Sequence, residues 1–412
     1  MTHALTPDAT VTIVGASLAG LRCAEALRAD GFAGTITLVG DERHRPYDRP
    51  PLSKQFLTGA WDEDRISLVK AEKHDPMGLD LRLGVRATRL DVEGRRVELA
   101  DGTVLDSDAV VIATGAALRR LPGTEDRLHV HGVRTLDDAA ALRDDLASLP
   151  PASRVVLIGA GFIGQEVATA AAAAGHRVTI LEGADLPLRP IVGEQVARLL
   201  LDLHVASGAE LRCGVTVTGI APPAGDARAG SVEIDGADPV PADLIVVGIG
   251  VTPSTGWLEG SSLTIDNGVV TDERLIAAPG ILAIGDVARF RWLGAGHDER
   301  VRIEHWQTAA DHGSHAAKVL LAGGPLAPVF AAVPYFWSDQ WGKKIQVLGH
   351  PGADDDVAVL MAPDEEGRFL VAFHSGAFLT GVLAVSRPRQ LMAFRTMLGE
   401  GATIDQALAV EL

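Results

Sequence analysis

Cysteine is nearly absent: Cys23 and Cys213 are the two in 412 residues, and they lie far apart in the chain. There is no disulfide framework and no CxxC or CxxxxC pair. This excludes a stapled secreted scaffold and argues against dithiol chemistry, and makes a reducing cytoplasm the expected setting. Basic residues are in the minority, 37 against 54 acidic ones, for a formal charge of −17. So acidic a chain lacks the field through which a nucleic-acid binder displaces phosphate counterions. The opening MTHALTPDAT has neither the charged nor the apolar part of a secretory leader. The longest apolar run, around residues 155–175, is broken by Gln165 and Glu166, so no membrane span is expected. The 13 histidines form no ligand set; His312 and His315 are expected along a helix surface, and no Ser-His-Asp arrangement has supporting context.

Against these absences stand two glycine-rich turns. GASLAG, Gly15 to Gly20, follows the apolar run Val11–Val14, and GAGFIG, Gly159 to Gly164, follows Val155–Ile158. After each turn the chain reads as a helix, then a strand: Thr35–Val39 in the first copy and Arg177–Leu181 in the second. Two more landmarks recur in the same order. LRLGVRAT (Leu81 to Thr88) is echoed by LRCGVTVT (Leu211 to Thr218), and DAVVIATG (Asp108 to Gly115) by DLIVVGIG (Asp243 to Gly250). The chain therefore contains a βαβ unit, a small β insertion and a closing strand, written twice. Cys213 takes the place that Leu83 holds in the first copy, so it reads as a buried hydrophobe.

Between the copies, TLDD (Thr135 to Asp138) is a capping box opening a helix from Asp137 to Ala147. Beyond Gly323 the texture changes to short runs, Lys344–Leu348, Val357–Met361 and Arg368–Phe373, that read as antiparallel strands. An amphipathic helix after Pro388 and a last short helix capped at Thr403 complete a small separate domain.

In the second turn all three glycines are present: Gly159 for the tight turn, Gly161 for close approach to a pyrophosphate, Gly164 for helix–strand packing. The helix N-terminus offers free N–H groups to phosphates. Glu182 ends the next strand, where an acid binds the ribose 2′-hydroxyl and repels a 2′-phosphate, so NADH is favoured over NADPH. The first turn departs from this pattern: Ser17 replaces the middle glycine and Gly40 stands where Glu182 does, with Asp41 one residue later. Asp286, at the end of the run ILAIGD, suits either a polyol hydrogen bond or a helix N-cap before Val287. RPYDRPPLSK, Arg45 to Lys54, is held by its prolines as an extended loop; it suits an anion or a reduced flavin, or else is a solvated basic turn.

Taken together these residues resemble the NADH-dependent flavoprotein ferredoxin reductases of bacterial oxygenase systems, the putidaredoxin reductase and biphenyl dioxygenase reductase type. The resemblance spans nearly the whole chain through GASLAG, VGDE, RPYDRPPLSK, ATG, GAGFIGQE, AIGDVARF, RIEHW (Arg302 to Trp306) and FWSDQ (Phe336 to Gln340). It implies an α/β protein with two Rossmann-like dinucleotide-binding domains, glutathione-reductase-like, plus a C-terminal α+β domain. The FAD domain is expected at 1–116 and 249–324, the NAD domain at 117–248 and the C-terminal domain at 325–412. It further implies FAD contacts from Gly15, Ser17, Ala19, Gly20, Asp41, Arg49, Lys54, Ala87, Thr114, Gly115, Arg134, Asp286, Glu304 and Trp306. NADH contacts are implied for Gly159, Gly161, Phe162, Ile163, Gly164 and Glu182, with Gly250 also at the cofactors. Lys54 and Glu166 are implied to pair beside the flavin as the catalytic charges.

Hydride chemistry belongs to such cofactors, and the protein supplies alignment and electrostatics. With no cysteine pair to accept electrons, an iron–sulfur ferredoxin serving a cytochrome P450 or a Rieske oxygenase is the expected acceptor. Arg289, Arg291, Lys343, Lys344, Arg387 and Arg389, flanked by Trp292, Trp337 and Trp341, form a candidate docking patch; ordinary surface charge is the alternative. Other readings on the same scaffold are a rubredoxin reductase, an NADH oxidase, or an NADH-sensing flavoprotein of the apoptosis-inducing-factor type.

Overall fold

Thr10–Val14 and Arg154–Ile158 are β-branched, apolar runs buried on both faces, as the central strand of a parallel sheet requires. Each organises one of two compact units in the computed structural model, which describes residues 4–69, 77–124, 127–205, 207–293, 300–323 and 326–412. The first unit comprises residues 1–48, 64–117 and 252–335; the second comprises 49–63, 118–251 and 336–412.

In the first unit, Thr10–Val14 pairs in parallel with Thr35–Gly40 on one side and Ala109–Ile112 on the other. Leu79–Leu83 extends the sheet beyond Thr35–Gly40. Ile281–Ala283, far along the chain, joins in parallel beside Ala109–Ile112. One face of this sheet is covered by helix Leu18–Ala29, which packs along helix Trp306–Ala322. The two helices approach closely because position 313 is glycine: a Cβ there would stand 2.4 Å from the Ala19 carbonyl oxygen. The other face carries the antiparallel strands Ala87–Asp91, Arg96–Leu99 and Val104–Asp106.

The second unit repeats this order. Arg154–Ile158 lies between Arg177–Leu181 and Leu244–Val247, with Glu210–Arg212 and Val130–His131 outside them, all parallel. Helix Phe162–Ala173 follows the turn, and Val217–Ala221, Gly230–Ile234 and Val240–Ala242 form the antiparallel insertion. The echoed aspartates do the same job in both copies: Asp108 accepts the Thr10 N–H, and Asp243 the Arg154 N–H, both at 2.8 Å. Cys213 is half-buried rather than buried, because it follows the short edge strand Glu210–Arg212; Leu83, the last residue of the edge strand Leu79–Leu83, is half-buried too.

The C-terminal segment of this unit is a five-stranded antiparallel sheet in the order Tyr335–Gln340, Lys343–Gly349, Phe378–Val385, Phe369–Ser375, Asp356–Met361. Phe378–Val385 shows no alternation in sequence because it is central and nearly every residue is buried. Helix Arg189–Val205 packs on this sheet. After Pro388 there are two short helices, Pro388–Met392 and Arg395–Gly399, instead of the single amphipathic one expected. Among the described residues no helix is long and apolar enough to cross a membrane.

Helix Leu136–Ser148 begins at Thr135 with a complete capping box: the Thr135 hydroxyl accepts the Asp138 N–H, and Asp138 accepts the Thr135 N–H. Thr135→Ala removes one of these bonds and is expected to cost about 1 kcal/mol, a fall of roughly 1–3 °C in thermal midpoint for a chain of this size. A melting curve indistinguishable from wild type would show the cap to be idle.

Candidate active site

The turn of the second unit is shaped by what its glycines lack. Gly159 has φ +103°, and a Cβ on it would come within 2.4 Å of the Gly248 carbonyl oxygen. Gly164 meets the Gly159 carbonyl oxygen at the same distance. Gly161 differs: nothing stands within 4 Å of where its Cβ would be. The middle glycine therefore faces open space at the start of a 12-residue helix, a cradle fitted to a pyrophosphate. Glu182 reaches this turn: one carboxylate oxygen accepts the Ala160 N–H at 2.7 Å, the other the Ala184 N–H at 2.8 Å. Each oxygen retains a lone pair for a ribose hydroxyl. Phe162 turns its ring edge to Phe336, centroids 5.0 Å apart, so it packs as well as borders the turn; Ile163 is exposed. Gly250 has φ +97° and its carbonyl accepts the Arg119 N–H.

The first unit builds the same turn with different ends. A Cβ on Gly15 would lie 2.0 Å from the Ala113 carbonyl oxygen, and one on Gly20 2.1 Å from that of Gly15. Ser17 is the extended N-cap residue of helix Leu18–Ala29. Gly40 is excluded from carrying an acid, since its Cβ would stand 2.7 Å from that of Ala16. The acid appears one residue later as Asp41, exposed, with Arg86 3.4 Å away. Ala87 is buried at the start of its strand. Thr114 donates its hydroxyl to the Ser254 carbonyl, and the Gly115 carbonyl accepts the Ser254 N–H.

Asp286 lies in a single 3₁₀ turn, Gly285–Val287, that runs directly into strand Ala288–Arg291, so it does not cap an α-helix. Arg302, overlooked in the sequence, donates to the Asp286 carbonyl and pairs with Glu304. Trp306 donates its indole N–H to Asp48 at 2.6 Å. His312 overturns its expected place on a helix surface: it is fully buried between the Phe290 and Phe330 rings, and its Nδ1 accepts the Gly285 N–H at 3.1 Å. Burial, with a smaller contribution from nearby His315, lowers its pKa from 6.5 to about 3.

In the second unit, Pro50–Ser53 forms a 3₁₀ turn rather than an extended segment; proline at its first positions forgoes N–H groups that the turn does not use. Arg49 donates to the Arg134 carbonyl. Lys54, next after the turn, has its ammonium 2.7 Å from Glu166, with side chains 12% and 4% exposed. Glu166 lies on helix Phe162–Ala173, two residues beyond Gly164. Its carboxylate also accepts from the hydroxyls of Ser53 and Ser338, both at 2.6 Å, and from the Asp339 N–H at 3.2 Å. Neither serine stood out in the sequence. The signal lay in the strand Tyr335–Gln340, where polar Ser338 and Gln340, two apart, are both buried.

Residues 9–313 match the pyridine nucleotide-disulphide oxidoreductase family, and residues 335–411 the reductase C-terminal family. The chain is 37% identical to rhodocoxin reductase of Rhodococcus erythropolis over 391 residues, 94% of this chain and 89% of the relative. It belongs to the FAD-dependent ferredoxin reductase family typified by putidaredoxin reductase. The ferredoxin–NAD(+) reductase component of the p-cumate 2,3-dioxygenase system of Pseudomonas putida is 35% identical over 96% of this chain and 94% of its own. The crystal structure of the covalent putidaredoxin reductase–putidaredoxin complex superposes with a TM-score of 0.90 at 31% identity, covering 98% of this chain and 96% of that one. FAD and NAD(H) are the cofactors typical of this family.

This ferredoxin reductase departs from the disulphide oxidoreductases in its cysteines. Cys23 is buried, its thiol pushed up to about 12, and burial followed by Glu182 and Asp185 also raises that of Cys213. Three residues of the candidate docking patch are engaged within the protein. Trp292 is buried and donates to the Ala332 carbonyl, Arg289 pairs with Asp266, and Arg387 with Asp364 at 2.6 Å. Arg289, Arg291 and Trp292 belong to the first unit, whereas Lys343, Lys344, Arg387, Arg389, Trp337 and Trp341 belong to the second.

The buried histidine carries a pH dependence. A folded-state pKa near 3 against 6.5 means that the unfolded chain binds the proton more readily. Stability is therefore full above 6.5 and falls as pH drops toward 3. His312 alone is expected to remove on the order of 1–2 kcal/mol between pH 7 and 5. In His312→Gln, whose amide oxygen accepts the Gly285 N–H, thermal midpoints measured across this range should fall less steeply; an unchanged slope would remove His312 from the account.

Proposed function

We propose that this reductase takes hydride from NADH onto FAD and passes the electrons singly to a small iron–sulfur ferredoxin serving a cytochrome P450 or Rieske oxygenase. The observation that carries this reading is the buried Lys54–Glu166 pair, whose acid lies on the helix that follows the complete, NADH-type turn. The relatives support the acceptor: their names are ferredoxin or rhodocoxin reductases, and one solved relative is joined to its ferredoxin, putidaredoxin. The domain reading follows: two Rossmann-like domains, FAD at 1–116 and 249–324 and NAD at 117–248, with residues 325–412 as a C-terminal α+β domain.

FAD, when bound, supplies the conversion of a hydride into two single-electron transfers. The protein's part is binding and charge. Gly15, Ser17, Ala19 and Gly20 present the first helix N-terminus to the FAD pyrophosphate, Asp41 meets its ribose, and Asp286, steadied through Arg302 and His312, accepts from the polyol chain. Ala87, Thr114, Gly115, Glu304 and Trp306 complete this cradle, and Arg49 and Arg134 meet anionic or carbonyl groups of the cofactor. In the second unit Gly159, Gly161, Phe162, Ile163 and Gly164 border the NADH phosphates, and Gly250 marks the end of the closing strand. Glu182 binds the ribose hydroxyls. Lys54 offers a fixed positive charge to the electron-rich product of hydride transfer, a preorganised form of stabilisation.

Mixing the yellow protein with NADH should bleach it rapidly, while sustained turnover should require ferredoxin. Consumption of NADH on dioxygen alone at the same rate would make the protein an oxidase and sink this reading. With both lysines reversed, Lys343→Glu and Lys344→Glu, ferredoxin reduction should slow while ferricyanide reduction persists; equal loss of both would dismiss these lysines as partner contacts.

Glu182→Gln keeps the length of the side chain but drops its charge and one of its two acceptor oxygens. It should raise the KM for NADH by about tenfold, the loss of one charge-assisted hydrogen bond. It should also narrow the preference over NADPH. Unchanged preference would show that Glu182 does not read the ribose.

A further inference from the structure

We infer that Ser338, in the C-terminal strand Tyr335–Gln340, is a positioning residue for hydride acceptance, acting through Glu166 on Lys54. This rests on the role proposed above for the Lys54–Glu166 pair. An ionised carboxylate has about four acceptor positions, and all four of Glu166 are taken. One oxygen accepts from Ser338 Oγ at 2.6 Å and the Asp339 N–H at 3.2 Å; the other accepts from Ser53 Oγ at 2.6 Å and Lys54 Nζ at 2.7 Å. The direction of the Ser338 bond is set by its neighbour. Gln340 donates its amide to Ser338 Oγ at 3.2 Å, which leaves the serine proton for Glu166.

The same segment grips the helix that carries Glu166. The Trp341 N–H donates to Thr169 Oγ1 and its indole N–H to Gln165 Oε1, both at 3.1 Å. Strand and turn thus fix the rotation of the helix and the plane of the carboxylate together. Lys54 is steadied in turn by Glu166 and by the Pro50 carbonyl at 3.2 Å. Its third ammonium hydrogen has no partner among the described residues. Four donors on one buried carboxylate exceed what pairing with Lys54 requires, and buried pairs in themselves add little stability. What the extra donors supply is a charge that does not move, the property that lowers a barrier when charge develops beside it.

The test is stopped-flow reduction of the bound flavin at saturating NADH, with the flavin midpoint potential as a second readout. Ser338→Ala should reduce about tenfold more slowly, the loss of one charge-assisted hydrogen bond. Its potential should shift negative, its affinity for NADH should hold within about twofold, and FAD should bind its apoprotein as before by fluorescence quenching. Ser338→Thr should recover most of the rate. In a Lys54→Met background Ser338→Ala should add nothing, since the two act as one unit. Wild-type rate and potential in Ser338→Ala would overturn the inference, as would an equal slowing in both backgrounds. A wild-type rate in Lys54→Met alone would instead overturn the role of the pair itself.

Discussion

A carboxylate that is 4% exposed must be answered by donors, and the answer to Glu166 comes from two stretches of chain far from its own. Ser53 and Lys54 arrive from the proline-rich turn, the helix of the second unit supplies the acid itself, and Ser338 and Asp339 arrive from the C-terminal sheet. Removing any one donor leaves a buried ion short of a partner, which costs far more than losing a surface contact does. The requirement explains why the turn after Arg49 groups with the second unit although it lies in sequence inside the first dinucleotide repeat.

The two repeats show one backbone solution under two demands. Both place a glycine whose carbonyl nearly touches the fifth residue on, and in both an aspartate ties the start of the first strand to its closing strand. They part at the acid. In the second copy Glu182 folds back onto the turn; in the first, Ala16 occupies that space and the acid moves outward to Asp41.

Much of this was legible. The β-branched runs, the glycine spacing, the echoes and the capping box at Thr135 each state a local rule, and local rules survive folding. The Lys54–Glu166 pair was reached through family resemblance, since 112 residues separate the partners and no local rule joins them. What stayed hidden was set by tertiary neighbours. His312 looks like a polar helix position, but helix Trp306–Ala322 lies along another helix with glycine at the crossing, and the imidazole turns inward. Trp292 looks like an interface aromatic, yet it is buried and its indole is spent on the Ala332 carbonyl. The prolines of the Arg45–Lys54 stretch signalled an interruption of regular structure, but gave no sign that the 3₁₀ turn would deliver Ser53 beside an acid.

The order in which these donors appear along the chain has a consequence for synthesis. A nascent chain that has reached residue 250 already contains both glycine turns, Lys54 and Glu166, yet has made only two of the four donors to that carboxylate. The other two lie in the last fifth of the protein. The donor set of Glu166 is therefore completed only near the end of translation, and a chain released at residue 250 carries both glycine turns but half of those donors.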